Sequence, residues 1–424
     1  MKKTSRAGVS DTRAGLQPAG LFSNAGIFKK GFQDFHPLDE SPYLLFDAES
    51  SMLGNLENPT LDLDASKTET LDVITATRAG IATYTSSDGQ IVTADENTVR
   101  VDWSLGYPAM LIEPSVENLV TDSLLFAELG DATRVGGIDA PDGSTNAKRI
   151  SNAQAVNTTF AKCLTISIPT GVAANYVGSV YVRGTAGETV NVFMKRASGG
   201  TFVTSGSRSV LLTGDWQRVE NLALTSDPTN SNLSVYFSSA GETADTIDVW
   251  GAQIEEGVVS TSIIPTSGSA VTRNADNLVI DGTAFSDFYN ATEGTWYCEV
   301  VPKGNDGSAN YTFIFEYGVD DLNRTGFFYY VSNGSTSITS FESGTPFYNH
   351  VRYVDHTNQL TRMAYSYKSG NHNSAIDGIA YSDTDAVVPA ANQLRLGSRV
   401  SGSAGKLIGH IKRLIYWPTH SDSL

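Results

Sequence analysis

Apolar and polar residues alternate over short runs along most of this chain. Ser179-Val180-Tyr181-Val182 and Val190-Asn191-Val192-Phe193 show the two-residue period of a strand with one wet face. Three regions carry that pattern. Residues 46–118 read as short strands (LDLD, AGIATYT, QIVTA, TVRVDW, AMLIEP), with Ser87-Asp88-Gly89 as a hairpin-type turn. Residues 119–266 open irregularly, then give FAKCLTISI, YVGSVYVRG, TVNVFMKR, DWQRVENLAL, NLSVYFSS and TIDVWGAQIEEG. Residues 267–424 repeat the style, from TWYCEVVP and YTFIFEYGV to KLIGHIKRLIYWP. Gly, Asn and Asp punctuate these runs at fairly even intervals, which is the pattern of antiparallel sandwiches. The predicted class is all-β: two antiparallel β-sandwiches of jelly-roll type in tandem, behind an N-terminal arm and a small β region that links arm to sandwiches.

The ends of two stretches echo each other. IEPSVENLV (112–120) and IIPTSGSAVTRNADNLV (263–279) both pass from an apolar residue through proline to Asn-Leu-Val. Proline keeps a chain extended and offers no ladder donor, so Pro114 and Pro265 suit chain leaving one module and entering another.

The first 45 residues break the alternation. In LFSNAGIFKKGFQDF (21–35), Phe28, Phe32 and Phe35 have the i, i+4, i+7 spacing of one helical face, and Phe22 precedes them. Gly26 and Gly31 weaken a long helix. A short segment this rich in phenylalanine cannot bury its rings alone. It folds back on its own protein or docks on a partner, and an arm ahead of β modules suits docking.

A length of 424 residues fits two to four domains. The formal charge of −17 argues against nucleic acid and anionic membranes, which need clustered Lys and Arg. Lys2, Lys3, Arg6 and Arg13 are too few to form such a patch. No run reaches the roughly 20 apolar residues of a membrane span, so no membrane insertion is expected. The start MKKTSRAGVSD has basic residues without an apolar stretch behind them, so synthesis in the cytoplasm without a signal peptide is expected. Cys163 and Cys298 fall in different modules inside apolar runs and read as buried free thiols.

Catalytic motifs do not emerge. The sequence has no G-x-S-x-G, P-loop, H-E-x-x-H or C-x-x-C. The six histidines (His36, His350, His356, His372, His410, His420) are scattered and read as solvated turn or strand positions, and the six-residue step from His350 to His356 is weak support for a metal. Glu255-Glu256 and Asp320-Asp321 are adjacent, and neighbours on a strand point to opposite faces, so neither pair forms an acid/base couple. No catalytic and no metal residues are assigned, and a non-enzyme is expected. Trp216, Trp250, Trp296 and Trp417 sit in predicted strands, where core packing competes with a sugar-stacking role. Phe327-Phe328-Tyr329-Tyr330 must place rings on both faces of a strand, so one pair lies away from its sheet's core.

Four segments carry a resemblance. TRAGIATYTSSDGQIVTADENTVRVDW (77–103), AMLIEPSVENLV (109–120), WGAQIEEGVVSTSIIPTSGSAVTRNAD (250–276) and LIGHIKRLIYWPTHSDSL (407–424) resemble segments of phage and prophage virion proteins. Those proteins carry a carbohydrate-binding-module-like jelly roll and a C-terminal concanavalin A or laminin G-like sandwich. Ile264 stands where an aromatic is common, and Val116 replaces the usual Arg or Gln. The resemblance covers roughly residues 45–424 and implies 119–266 as the module-like sandwich and 267–424 as the lectin-like one, with 46–118 as a linking region; residues 1–45 match no such segment and are read as an anchoring arm from their phenylalanines. It implies a location on the virion, other virion proteins as partners of the arm, host surface polysaccharide as ligand, and a homo-oligomer, with a trimer favoured. A tail fibre, tail spike or head spike is the expected role. A capsid decoration or baseplate spacer is the alternative, and a polysaccharide depolymerase ranks last. No cofactor is expected. Modules of this class often hold a structural calcium near a strand such as TIDVWGAQIEEG, for which Asp248 alone is weak support.

Overall fold

Two stacked pairs of antiparallel sheets account for most of the chain. The computed structural model describes residues 56–424 apart from 57, 153–158, 164–165, 168–173, 199–200, 226–231, 306, 308, 385–386, 389 and 403–404. The candidate anchoring residues Phe22, Phe28, Phe32 and Phe35, and His36, lie outside the described residues. The expected all-β class holds: every sheet is antiparallel and forms from the alternating runs.

The first sandwich pairs a five-stranded sheet with a six-stranded one. The five-stranded order is Gln217–Thr225, Asn175–Gly184, Thr246–Glu256, Ala147–Asn152, Ala132–Ile138. The six-stranded sheet runs from Thr201–Leu211 through Thr189–Ser198, Asn232–Ser238 and Thr159–Cys163 to Phe126–Glu128, with Ile166–Ser167 also on Asn232–Ser238. Val180, Val182, Val192, Phe237 and Ile254 alternate inward and fill its core. In Trp250-Gly251-Ala252-Gln253 the ladder shifts register opposite Ser179–Tyr181. Gly251 sits there at φ +64°, the left-handed conformation that a bulge requires and that glycine adopts without a Cβ penalty.

The second sandwich is not continuous in sequence. Its seven-stranded sheet runs Thr75–Thr77, Asn277–Asp281, Gln393–Leu396, Tyr311–Gly318, Arg324–Tyr330, Thr336–Glu342, Thr345–Arg352. The facing eight-stranded sheet runs Ile379–Asp383, Asn371–Ile376, Thr361–Lys368, Glu293–Asn305, Leu407–Trp417, Ala109–Ile112, Arg100–Asp102, and Leu61–Asp64 adds to Leu407–Trp417. Four strands between residues 61 and 112 therefore complete sheets built mainly from residues beyond 277. The first sandwich is an insertion into the second. Where the chain leaves and returns, Val116–Asn118 pairs antiparallel with Val271–Arg273. The two Asn-Leu-Val echoes flank this ladder and mark the two sides of the insertion.

The second core is aromatic. Trp296 packs on Phe315, Tyr317 and Tyr416 with ring centroids 5.5, 5.0 and 4.5 Å away. Rings bury large apolar areas, and replacing such a Trp with Ala costs about 3–5 kcal/mol. Gly397 closes this core: it sits at φ +66°, and a Cβ there would lie 2.4 Å from Cγ2 of Ile112. Glycine is required at that point so that the strand Ala109–Ile112 can lie against the C-terminal part of the fold.

Candidate functional site

Two polar assemblies stand out, and they differ in how far their hydrogen-bonding capacity is already used. The first lies at the root of the insertion. Glu113 and Asp276, both buried, meet three buried arginines. Asp276 accepts from Arg78 Nη1 at 2.7 Å, from Arg100 Nη2, and from the Glu113 amide at 2.9 Å. Glu113 pairs with Arg100 at 2.8 Å and with Arg273, and it accepts from the Ser262 amide and hydroxyl at 2.6 and 2.7 Å. Arg100 Nη1 also donates to the Thr83 carbonyl at 2.8 Å, and Arg273 Nη2 to the Pro114 carbonyl at 2.7 Å. Burial would raise the Glu113 carboxyl, but Arg273 and Arg100 outweigh it and hold it well below the usual carboxylate range.

The same joint extends on both sides. Asn118 Nδ2 donates to the carbonyls of Ile264 at 2.8 Å and Ala252 at 3.3 Å, and its Oδ1 accepts from the Val120 and Ile254 amides. Gln253 bonds the Ile264 amide at 2.7 Å, and Ser123 and Thr266 cross-bond. His410 Nε2 donates to Asp102 at 2.9 Å. Arg78, Arg100, Glu113, Asn118, Gln253, Ser262, Arg273 and Asp276 all come from residues 77–103, 109–120 and 250–276, which converge on this joint at the chain's crossing point.

Other sequence candidates separate cleanly. Trp250, Trp296 and Trp417 are buried, whereas Trp216 is half-buried just ahead of its strand with Arg183 4.7 Å over its ring. Trp250 is fixed by Nε1 donating to Asn146 at 2.7 Å. Phe327 and Tyr329 face the core, and Phe328 and Tyr330 lie on the outer face with Tyr311, as the alternation requires. Asp248 is held by Arg149 at 2.7 Å and Arg183 at 2.9 Å, so a cation beside it would face two guanidiniums. Glu255 is buried and bonds Thr261, while Glu256 is exposed on the other face. Asp320 accepts from the Leu322 and Asn323 amides in a turn, and Asp321 pairs with Arg399. Cys163 and Cys298 are buried free thiols. Among the described residues no group of three or more His, Cys, Asp or Glu is placed to hold a metal.

The histidines require a correction. His350, His356, His372 and His410 are buried instead of solvated. Each finds an internal partner that alternation alone does not reveal. His350 Nδ1 lies 2.6 Å from Ser374 Oγ, His372 Nδ1 lies 2.6 Å from the Tyr365 hydroxyl, and His356 Nε2 lies 3.1 Å from Asp377. His420 is half-buried beside Asp422.

The second assembly is a concave pocket of about 530 Å³ at one end of the second sandwich. The strand Asn277–Asp281 delivers Asp281 to its rim, and the turn into the short helix Gly282–Ser286 follows at once. Phe285 and Tyr289 form its apolar wall, with ring centroids 4.7 Å apart and planes inclined by 30°. Phe285 is 1% exposed and anchors that wall, whereas Tyr289 is half-buried. Opposite, Asn392 and Gln393 lead into the neighbouring strand, where Gln393 pairs with Asp281 across the ladder. Gln393 Oε1 accepts from Arg395 Nε at 3.1 Å, which leaves the amide N–H groups of Gln393 as its remaining capacity. Asp281 occupies the N-cap position yet makes no side-chain cap bond. Its carboxylate is exposed and accepts no side-chain hydrogen bond and forms no ion pair among the described residues. A wall lined by half-buried Tyr289, with a rim whose Asp281 carboxylate and Gln393 amide N–H groups meet no side-chain partner among the described residues, has the composition of a site for a hydroxylated ligand. None of its residues stood out in the sequence: Asp281 and Gln393 are ordinary strand-end residues more than 100 positions apart.

No family model matches the chain, and no curated protein matches it. Solved structures are similar to parts of it. They include the NanB sialidase from Streptococcus pneumoniae (16% identity, 34% of this chain and 25% of that one, TM-score 0.28). A CBM40 of a Ruminococcus gnavus IT-sialidase, bound to α2,3-sialyllactose, matches at 11% identity over 33% of this chain and 83% of that one, TM-score 0.28. Domain 4 of AbnA, an extracellular arabinanase from Geobacillus stearothermophilus, in complex with arabinotriose, matches at 18% identity over 34% and 68%, TM-score 0.27. The match spans a quarter of the length of the sialidase chain.

Proposed function

We propose that this chain is a non-enzymatic glycan-binding protein of a bacteriophage particle, a fibre or spike component that holds the virion on host surface polysaccharide. The observation that carries the binding half of this reading is the pocket of Phe285, Tyr289, Asp281, Ser286, Asn392 and Gln393. An aromatic wall stacks on the apolar face of a sugar ring while amide, hydroxyl and carboxylate groups bond its hydroxyls. The virion half rests on the four resembling segments. Weak single sites suit this role, because an oligomer presenting several copies to a polymer gains by multivalency. The cross-braced joint also suits a spacer, and a decoration or baseplate part is the second reading.

The test uses the full chain, fluorescently labelled, on cells of the bacterium that the particle infects. Saturable binding that purified surface polysaccharide competes, and that Ser286→Trp removes by filling the pocket, supports attachment. A folded chain that binds no surface glycan would move the role to the spacer. Mass spectrometry of purified particles tests the location.

A further inference from the structure

We infer that the pocket at the end of the second sandwich selects a neutral sugar residue with adjacent hydroxyls and rejects acidic sugars. The inference deepens the glycan-binding reading and rests on it. It follows from the charge and bonding state of the wall. Among the residues that line the pocket, Asp281 is the one acidic side chain, and no Lys or Arg lines it. The cation nearest in the ladder, Arg395, is engaged by Gln393 through its Nε, and its Nη1 reaches towards Gly402. A uronate or sialate in the pocket would therefore bring its carboxylate to the Asp281 carboxylate, and the Arg395 guanidinium behind Gln393 is not among the lining residues. Like charges brought together repel, and the chain's net charge of −17 adds to that field.

A neutral pyranose meets the opposite situation. The Asp281 carboxylate is acceptor-only, and its two oxygens can each accept a hydrogen bond from one of two neighbouring hydroxyls. The free N–H groups of Gln393 donate to a sugar oxygen. The Asn392 side chain, exposed at the rim, both donates and accepts. Tyr289, half-buried and packed on Phe285, Tyr317, Tyr367 and Tyr416, lines the pocket beneath them. Each group has a complementary partner on a neutral sugar, and none is left charged and unpaired.

The experiment titrates the full chain by calorimetry with three probe sets of equal length: neutral gluco-, galacto- and manno-oligosaccharides, oligogalacturonate with sialyllactose, and de-acetylated chitosan oligosaccharides. We expect at least one neutral probe to saturate, with about tenfold weaker binding in Asp281→Asn, since charge-assisted hydrogen bonds are about twice as strong as neutral ones. Gln393→Leu weakens the same probe, and Ser286→Trp abolishes its binding. Each variant is checked for an unchanged melting curve. Acidic probes that bind as tightly as neutral ones, with loss in Ser286→Trp, overturn the neutral selectivity and leave the glycan-binding reading standing. Tightest binding of the chitosan amines, weakened by salt, overturns it in favour of a cation site. If no probe of any set saturates the folded chain, the inference fails together with the reading beneath it.

Discussion

Glu113 and Asp281 are both carboxylates at the end of a strand in the same sandwich, and they have opposite fates. Glu113 is surrounded by Arg100, Arg273 and Ser262, every oxygen occupied and water excluded. Asp281 is exposed, bonds no cap amide and faces a pocket. The difference teaches how to tell a structural charge from a binding one. Charge and residue type are alike, and the degree to which the protein itself satisfies the group separates them. A saturated carboxylate holds a joint and has nothing left for a ligand. An unsaturated one on a concave, ring-lined wall retains its capacity.

The largest effect should come from cutting the chain at its apparent module boundary. Four strands between residues 61 and 112 complete both sheets of the second sandwich. A fragment of residues 119–424 lacks them and the joint's Arg78, Arg100 and Glu113. We expect it to lose the cooperative unfolding transition of that sandwich and to aggregate through exposed ladder edges. A fragment that melts as cooperatively as the full chain would show that the insertion topology is not needed for folding.

Next in size is removal of one charge from the joint. Arg273→Ala strips Glu113 of one of its two guanidinium partners and the Pro114 carbonyl of its donor, in a site with no water to replace them. Breaking a buried pair this way costs about 3–5 kcal/mol, measurable as a lower urea midpoint. A loss under about 1 kcal/mol would mean that water enters the joint and screens it.

The pH dependence sharpens the same contrast. Burial holds His372 down to about 4, and burial also lowers His410 despite its bond to Asp102. A histidine whose folded pKa is depressed resists protonation only in the folded state. Its contribution is complete above 6.5 and is lost as pH falls from there towards 4. Glu113 adds a second phase. Arg273 and Arg100 hold its folded carboxyl well below the ordinary carboxylate range, so its contribution is present above that range and is lost as pH falls through it. We expect urea midpoints to fall in two stages on acidification, and His372→Gln to flatten the first stage. Burial pushes the Glu316 carboxyl up to about 7, and its protonation opposes the first stage, so the check is the comparison with His372→Gln: identical slopes of midpoint against pH from 7 to 5 in the two proteins would contradict the burial of that ring.

The smallest stability effect belongs to the pocket. Asp281→Ala should change stability by less than about 0.5 kcal/mol, as surface substitutions away from special features do. The same change should weaken glycan binding. A large loss of stability would place Asp281 among the joint-like residues and remove the basis of the comparison.

Much of the fold was legible because its signal is local. Alternation with period two names the strands, and glycine and proline mark where they stop. The echo of Asn-Leu-Val after Pro114 and Pro265 reads as two doorways to successive modules, whereas the segments that follow the two prolines pair with each other, Val116–Asn118 on Val271–Arg273. What alternation cannot carry is which strand lies beside which. The strand Ala109–Ile112 reads as a neighbour of residues 116–120, yet it pairs with Leu407–Trp417 some 300 positions away. Pairing is decided by burial of whole sheet faces, a property of the assembled molecule.

The same division runs through the site chemistry. Residue types alone determined the all-β class, the acidic surface and the buried thiols within apolar runs. Tertiary structure alone decided that three arginines and two carboxylates share one dry joint, that four histidines find partners inside the second sandwich or its sheets, and that Asp281 meets Gln393 and Tyr289 around an open pocket. A side chain's chemistry is written in the sequence, whereas its remaining hydrogen-bonding capacity depends on which distant groups the fold brings to it.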